Sequence, residues 1–570
     1  MIVLLLIMQS WSAYVDSSLV YIGLTRQDIT FRDDYTIRDE YRFAIVDELL
    51  VNPLGTIDFL IDMDTLFWTS SEEKILKELV GLYDFKVSYR QTDFETALKK
   101  CYGLINNAFE KTPVELSGVF EELSVFSPEL TSSIEQERED TEQNDSLVNY
   151  LKEYAGKVDY EKLFTAQAYL LCAALSYQKW VEGFDRQHQS IEGVEGNVVF
   201  YKRYEFGEIV VADTGKNVYS RDFAVIIDLG GDDIYSFGAP TDKVHLIIDR
   251  AGNDRYEGDD YVIACGHFGV SILIDEQGND IYRAKSFSLG CGVFGVGLLI
   301  DKMGNDTYYG DTFTQGAGGF GIGVLRDEDG NDLYQGALYA QGFASTYGIG
   351  ILADQTGNDR YIMLEKYTDE IRYLDHYLSL SQGFSIGFRP DLSAGIGMIL
   401  EGRGNDYYIA DIFAQGASYW YGIGAVVDDA GNDSYIAYQY AQGSGVHIAL
   451  GALIDISGDD NYLAKGVSQG CGHDLALGIL YDIKGDDSYV AFDLSQGAGN
   501  ANGVGLLIDE SGDDAYSVKR AHNTQGYGNF RREYGSTGVL VDIKGKDAYY
   551  SGKDASLWKK GEYGIGIDWE

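Results

Sequence analysis

Carboxylates recur in two columns along this chain. The first is Asp228, Asp249, Asp275, Asp301, Asp327, Asp354, Asp428, Asp455, Asp482, Asp509 and Asp542, with Glu401 in the remaining copy. The second is Asp233, Asp254, Asp280, Asp306, Asp332, Asp359, Asp406, Asp433, Asp460, Asp487, Asp514 and Asp547, each five residues after its partner. Paired carboxylates serve acid–base catalysis when their environments differ, and a ladder of equivalents singles out no such pair. They also hold hard cations. Ca²⁺ takes roughly six to eight oxygens from carboxylates and turn carbonyls, and it is the cofactor this pattern implies. The rival compensation is backbone N–H donation to each carboxylate within its own turn, as in Asx-turns. One of the two is required. Like charges stacked about 4.8 Å apart repel by roughly 1 kcal/mol in water and about 3.5 kcal/mol at an effective dielectric near 20.

A glycine stands between the members of each pair, from Gly231 and Gly252 to Gly512 and Gly545, and most steps are 26 or 27 residues. A period this constant marks a repeat architecture. One copy, Gly316–Tyr334, reads GAGGFGIGVLRDEDGNDLY. Gly-Ile-Gly-Val-Leu into Asp327 reads as a strand, Glu328-Asp329-Gly330-Asn331 as a turn, and Asp332-Leu333-Tyr334 as the start of a second strand. A short third segment ends at Gln-Gly. The fold class is therefore mainly β, a right-handed parallel β-solenoid of about 12 coils, which at about 4.8 Å per coil stacks to roughly 58 Å. Pairing the copies into six propeller blades is the alternative. Odd and even copies do not differ as blades would require.

In a solenoid, equivalent residues stack. Gln315, Gln341, Gln382, Gln415, Gln442, Gln469, Gln496 and Gln525 form one column, whose amides can bond along the stack. Tyr235, Tyr256, Tyr282, Tyr308, Tyr334, Tyr361, Tyr435, Tyr462, Tyr489, Tyr516 and Tyr549 form another, with Tyr407 or Tyr408 filling the gap. The tyrosines read as structural, and an exposed column would offer sugar rings a platform.

The segments GNDTYYG and GNDRYEG resemble the glycine-aspartate nonapeptides of RTX calcium-binding repeats. That resemblance covers about seven residues per copy, and it implies a secreted protein that folds on Ca²⁺ into a parallel β-roll. It departs in period, 26 to 27 rather than nine, and it lacks the second glycine-rich half-turn. Only the turn aspartates carry over as candidate metal ligands.

The rest of the chain must support this array. Residues 1–13 read as a short signal peptide, an apolar run Ile2–Met8 followed by small residues, with no Lys or Arg ahead of it. A buried first strand, or a start codon placed too far downstream, is the other reading. Residues 14–200 read as a mixed, mainly helical capping domain and 201–570 as the solenoid. Within the first, strands are expected at Leu19–Leu24 and Ile57–Ile61. Ser70 with Glu73 and Thr92 with Glu95 make capping boxes, and helices run to about Glu110 and over Asp159–Val181. Thr112-Pro113 ends the earlier helix, Thr131–Ser146 reads as a solvated linker, and residues 70–184 are expected to cover the first rung.

A net charge of −46 argues against nucleic acid and anionic lipid as partners, and no run approaches a membrane span. Cys265 and Cys291 fall on neighbouring rungs and read as buried thiols, with a disulfide as the alternative. The repeat fails at Leu364–Ser379, which reads as a loop decorating the array, with a short helix offering a ligand surface of Tyr367, Arg372, Tyr373, Asp375, His376 and Tyr377 as the alternative. It fails again at Arg520–Ser536, where Arg520, His522, Arg531 and Arg532 cluster. The reading of function is an exported structural or adhesive module, extracellular, periplasmic or on the cell surface, that binds a surface or glycan partner. The alternatives are a polysaccharide-acting β-helix enzyme and a cytoplasmic scaffold.

Overall fold

The computed structural model describes residues 11–31, 39–111, 142–183, 188–238, 243–531 and 534–569. Ile2–Met8, Thr112-Pro113, residues 131–141 and Arg532 lie outside them. Among the described residues, seven α-helices precede a parallel β-solenoid of about 12 turns over residues 244–568. Each turn supplies strands to separate sheets. Val296–Asp301 carries the first aspartate, Thr307–Tyr309 carries the tyrosine, and Gly292–Val293 is a short glycine-rich piece. All three pair in parallel with the copy 26 residues on, as Asp301↔Asp327, Tyr308↔Tyr334 and Gly292↔Gly318. Parallel pairing at the repeat distance excludes propeller blades, which are antiparallel. The aspartate-bearing strands are near-continuous apolar runs because both of their faces are covered.

The turns fall in two compact units. One comprises Thr69–Thr356 with Glu370–Arg372. Its helices are Glu72–Gly81, Phe94–Ala108, Glu142–Ala155 and Tyr160–Val181. Asp93 and Asp159 cap the second and fourth, accepting from Thr96 N at 3.0 Å and Lys162 N at 3.1 Å. The Asp93 cap thus sits one residue beyond the expected Thr92, Asp159 stands where the long helix was expected to begin, and Ser71 stands where Ser70 was expected. Glu142 opens a helix inside the stretch expected to be a linker. Tyr160–Val181 packs on the Phe94–Ala108 helix and across Val244–Asp249, Val270–Asp275 and Val296–Asp301. The helices therefore line the sheet wall, which corrects the expectation that they cover the first rung. A strand edge needs backbone donors and acceptors, and Val198–Tyr204 supplies them by pairing antiparallel with Gly207–Ala212.

The other unit comprises Met1–Trp68, Gly357–Asp369 and Tyr373–Glu570. The expected strands at Leu19–Leu24 and Ile57–Ile61 give way to helices, Trp11–Tyr21 and Gly55–Thr69. Ile57, Leu60, Ile61, Asp64 and Phe67 are buried at helical spacing, a period that a five-residue window does not reveal. Trp11 is buried with its ring centroid 5.8 Å from that of Tyr481. At this unit's outer edge Leu557–Lys559 runs antiparallel to Gly564–Asp568.

The first interruption is a loop, and the helix given as its alternative is absent. Leu364–Ser379 forms no helix: Thr368 bridges Tyr377 antiparallel, and the single turn from Tyr373 N to Asp369 O at 3.0 Å does not continue. Asp411 binds His376 and Tyr377 just after it. Arg520–Ser536 holds a 3-10 turn, Ala521–Asn523, and a two-residue hairpin, Phe530–Arg531 with Tyr534–Gly535. Its Arg520 is tied to Asp493 at 2.9 Å.

Candidate metal centre

The turn is set by close approach of the backbones. A Cβ on Gly304 would lie 2.1 Å from Gly278 O of the preceding turn, so only glycine fits. On either side of it stand the two aspartates. Asp301 closes its strand and accepts Met303 N at Oδ1 (3.2 Å) and the Tyr282 hydroxyl at Oδ2 (2.6 Å). Asp482 repeats the pattern with Lys484 N (3.1 Å) and Tyr462 (2.7 Å). The Asx compensation expected from sequence is therefore present on the first column, with a tyrosine proton added. The second column is served differently. Asp460 Oδ1 accepts Asp433 N at 2.6 Å and Asp514 Oδ1 accepts Asp487 N at 2.7 Å, each bond tying one turn to the next.

The other oxygen of the second column has no such donor. Oδ2 of Asp254, Asp280, Asp306, Asp433, Asp460, Asp487 and Asp514 is buried without a hydrogen-bond partner, on residues 0–2% exposed. It is not isolated from other carboxylates. Asp275, Asp280 and Asp301 present one oxygen each within 4.8 Å of one another, as do Asp249, Asp254 and Asp275, and twelve such groups occur among the described residues. Burial, then the charge of the first-column partner, pushes Asp280 and Asp487 up to about 11. Their partners Asp275 and Asp482, also raised by burial, are held to about 6 by tyrosine and N–H donors and by the facing carboxyls of Asp280 and Asp487, which donate to them when protonated. A bare buried carboxylate oxygen is costly unless a positive charge or a proton meets it.

The donor set is oxygen only, which suits a hard divalent cation. Two carboxylates per turn balance one such ion. The residues thus fit the cation class read from sequence. Both predicted columns, from Asp228 and Asp233 to Asp509 and Asp514, are buried.

The remaining columns are structural. The tyrosines are fully buried from Tyr235 to Tyr516 and stack at centroid distances such as 4.7 Å (Tyr256 on Tyr282) and 4.8 Å (Tyr282 on Tyr308), which removes them as a sugar platform. Tyr408 fills the gap, and Tyr407 is exposed. The glutamines do not bond to each other. Gln315 Nε2 donates to Tyr308 O (2.9 Å) and Gln335 O (3.0 Å). The amide ladder is instead the turn asparagine: Asn279 Nδ2 donates to Asn253 Oδ1 at 3.1 Å and Asn305 to Asn279 at 3.0 Å. Its signal was the asparagine of every Gly-Asn-Asp.

Of the second predicted surface, only part converges. His376 Nδ1 meets Asp411 Oδ1 at 2.9 Å, Tyr377 N donates to Asp411 Oδ2 at 2.6 Å, and the His376 ring lies on Tyr438. Lys465 Nζ donates to the Tyr373 hydroxyl at 2.6 Å. Asp375 is exposed, Tyr367 joins through its carbonyl to Leu378 N (2.7 Å), and Arg372 belongs to the other unit. Asp411, Tyr438 and Lys465 were missed, although they stand 27 residues apart and so share one column.

Elsewhere, Cys265 and Cys291 are free buried thiols with Sγ atoms 3.2 Å apart. Burial lowers His267 to about 3, so it is neutral at physiological pH. No protein-family model, curated protein or solved structure matches this chain.

Proposed function

We propose that this protein is an exported, non-enzymatic β-solenoid serving as a structural or adhesive module, its aspartate ladder braced by Ca²⁺. One observation carries the reading: the polar side chains that recur along the array bond to neighbouring turns. Tyrosine donates to aspartate, aspartate accepts the adjacent backbone, glutamine binds carbonyls and asparagine binds asparagine. Such a repeat builds a stiff wall and leaves its outer face for contact with a surface or glycan. The apolar Ile2–Met8 run supports export.

Excising one whole copy, Ser488–Asp514, joins equivalent positions, and the shortened chain is expected to fold cooperatively with a Tm within several degrees of the parent. Loss of folding would show that the turns are not interchangeable and would sink the structural reading. Export is checked by the mass of the protein from its native source, where a retained Met1 counts against it.

A second reading, a polysaccharide-acting enzyme, is favoured by the His376–Asp411 pair beside the Lys465–Tyr373 pair. Histidine held by a carboxylate is a general base, and a tyrosine hydroxyl beside an ammonium can move a proton. Incubation with neutral and uronate-containing glycans tests it. Product formed by the parent and lost in His376→Ala would establish it; no product from the parent ends it.

A further inference from the structure

Resting on the cation-braced reading, we infer that the ladder takes up one divalent cation per turn while the chain folds, and that the folded turns then seal it in. The clusters present oxygen alone, with one unpartnered Oδ2 per turn at Asp254, Asp280, Asp306, Asp433, Asp460, Asp487 and Asp514 aimed at the first-column carboxylates. Two carboxylates per turn match one divalent charge. Among the described residues these oxygens have no exposed approach. The ligands are 0–2% exposed, and successive turns touch at the glycines, where Gly278 O leaves no room for even a methyl on Gly304. On the inner side the tyrosine rings stack at 4.7–4.8 Å with no gap for a hydrated ion. A hydrated cation therefore enters only while the turn is open, and leaves only when it reopens.

This differs from a solvent-facing calcium turn, which chelator empties without unfolding. The test uses the full chain. Native protein is held in excess EGTA, desalted and assayed by elemental analysis. A second sample is unfolded in guanidinium with EGTA and refolded with or without calcium chloride. The native sample is expected to keep about one metal per turn, and refolding without calcium to fall at least roughly tenfold in yield. Asp280→Asn and Asp460→Asn are each expected to lower the retained metal by one equivalent.

Metal released to EGTA from protein that stays folded overturns the sealing and leaves the cation-braced reading standing. Protein without metal that refolds equally well in EGTA overturns both. In that case protons occupy the second column, and the two Asn variants, isosteric with protonated aspartate, keep the parent Tm.

Discussion

At the scale of single residues, the division of labour between the two aspartates is set by their donors. Asp301 has two, the Tyr282 hydroxyl and Met303 N, whereas Asp306 Oδ2 has none. Removing the hydroxyl with Tyr282→Phe leaves a second buried carboxylate oxygen short of a donor, at a cost of about 1–3 kcal/mol. Denaturant unfolding measures this, and a change under about 0.5 kcal/mol would mean that the hydroxyl contributes nothing. The columns themselves were legible, since Gly-x-Asp recurs mostly at steps of 26 or 27 and a constant step becomes a stack. The direction of the second aspartate was not. Alternation assigns faces along a strand, but Asp306 follows a turn, where alternation is interrupted and only the backbone decides which way a side chain aims. The convergence of Asp411, Tyr438 and Lys465 was legible in principle, because the period that aligned the glycines aligns these residues as well.

At the scale of elements, the helix Gly55–Thr69 meets the wall through an acid pair. Asp64 is buried, accepts Trp68 Nε1 at 2.6 Å and faces Asp429; burial first, and then the charge of Asp429, pushes Asp64 well above the carboxylate range. Burial likewise raises Asp429, to about 6. Because the folded values lie above the unfolded ones, this contact stabilises the docked helix fully at low pH. The contribution is lost as pH rises through about 6 and beyond. Hydrogen exchange of the Gly55–Thr69 amides is expected to accelerate between pH 5 and pH 8, beyond the intrinsic rate, and Asp64→Asn is expected to remove the excess. Exchange protection that is flat in the parent over that range would refute the latch. This helix was misread because Ile57–Ile61 alone fits a strand or a helix equally; only its extension to Phe67 exposes the period.

At the scale of the whole molecule, the two carboxylates per turn account for about half of the formal charge of −46, and they are inside. The outer wall is correspondingly less acidic than composition suggests. The reversed strands at the outer edges, Val198–Tyr204 in one unit and Leu557–Lys559 in the other, bear on how this chain behaves among copies of itself. Parallel strands stacked in register, with like side chain over like, are also the arrangement of a growing fibril. A bare edge of this array would be a template onto which another molecule could crystallise turn by turn. The antiparallel strand breaks that identity, presenting a mismatched surface on which the next copy finds no register. Trp558→Pro, which removes a donor from this strand, should loosen it from Gly564–Asp568 and give concentration-dependent, thioflavin-binding fibres seeded by their own fragments. A variant that stays monomeric at high concentration would show that the reversed strand is not the stopper. On this view the short reversed strands are chain terminators for polymerisation, and they let a sequence written as a fibril remain a single molecule.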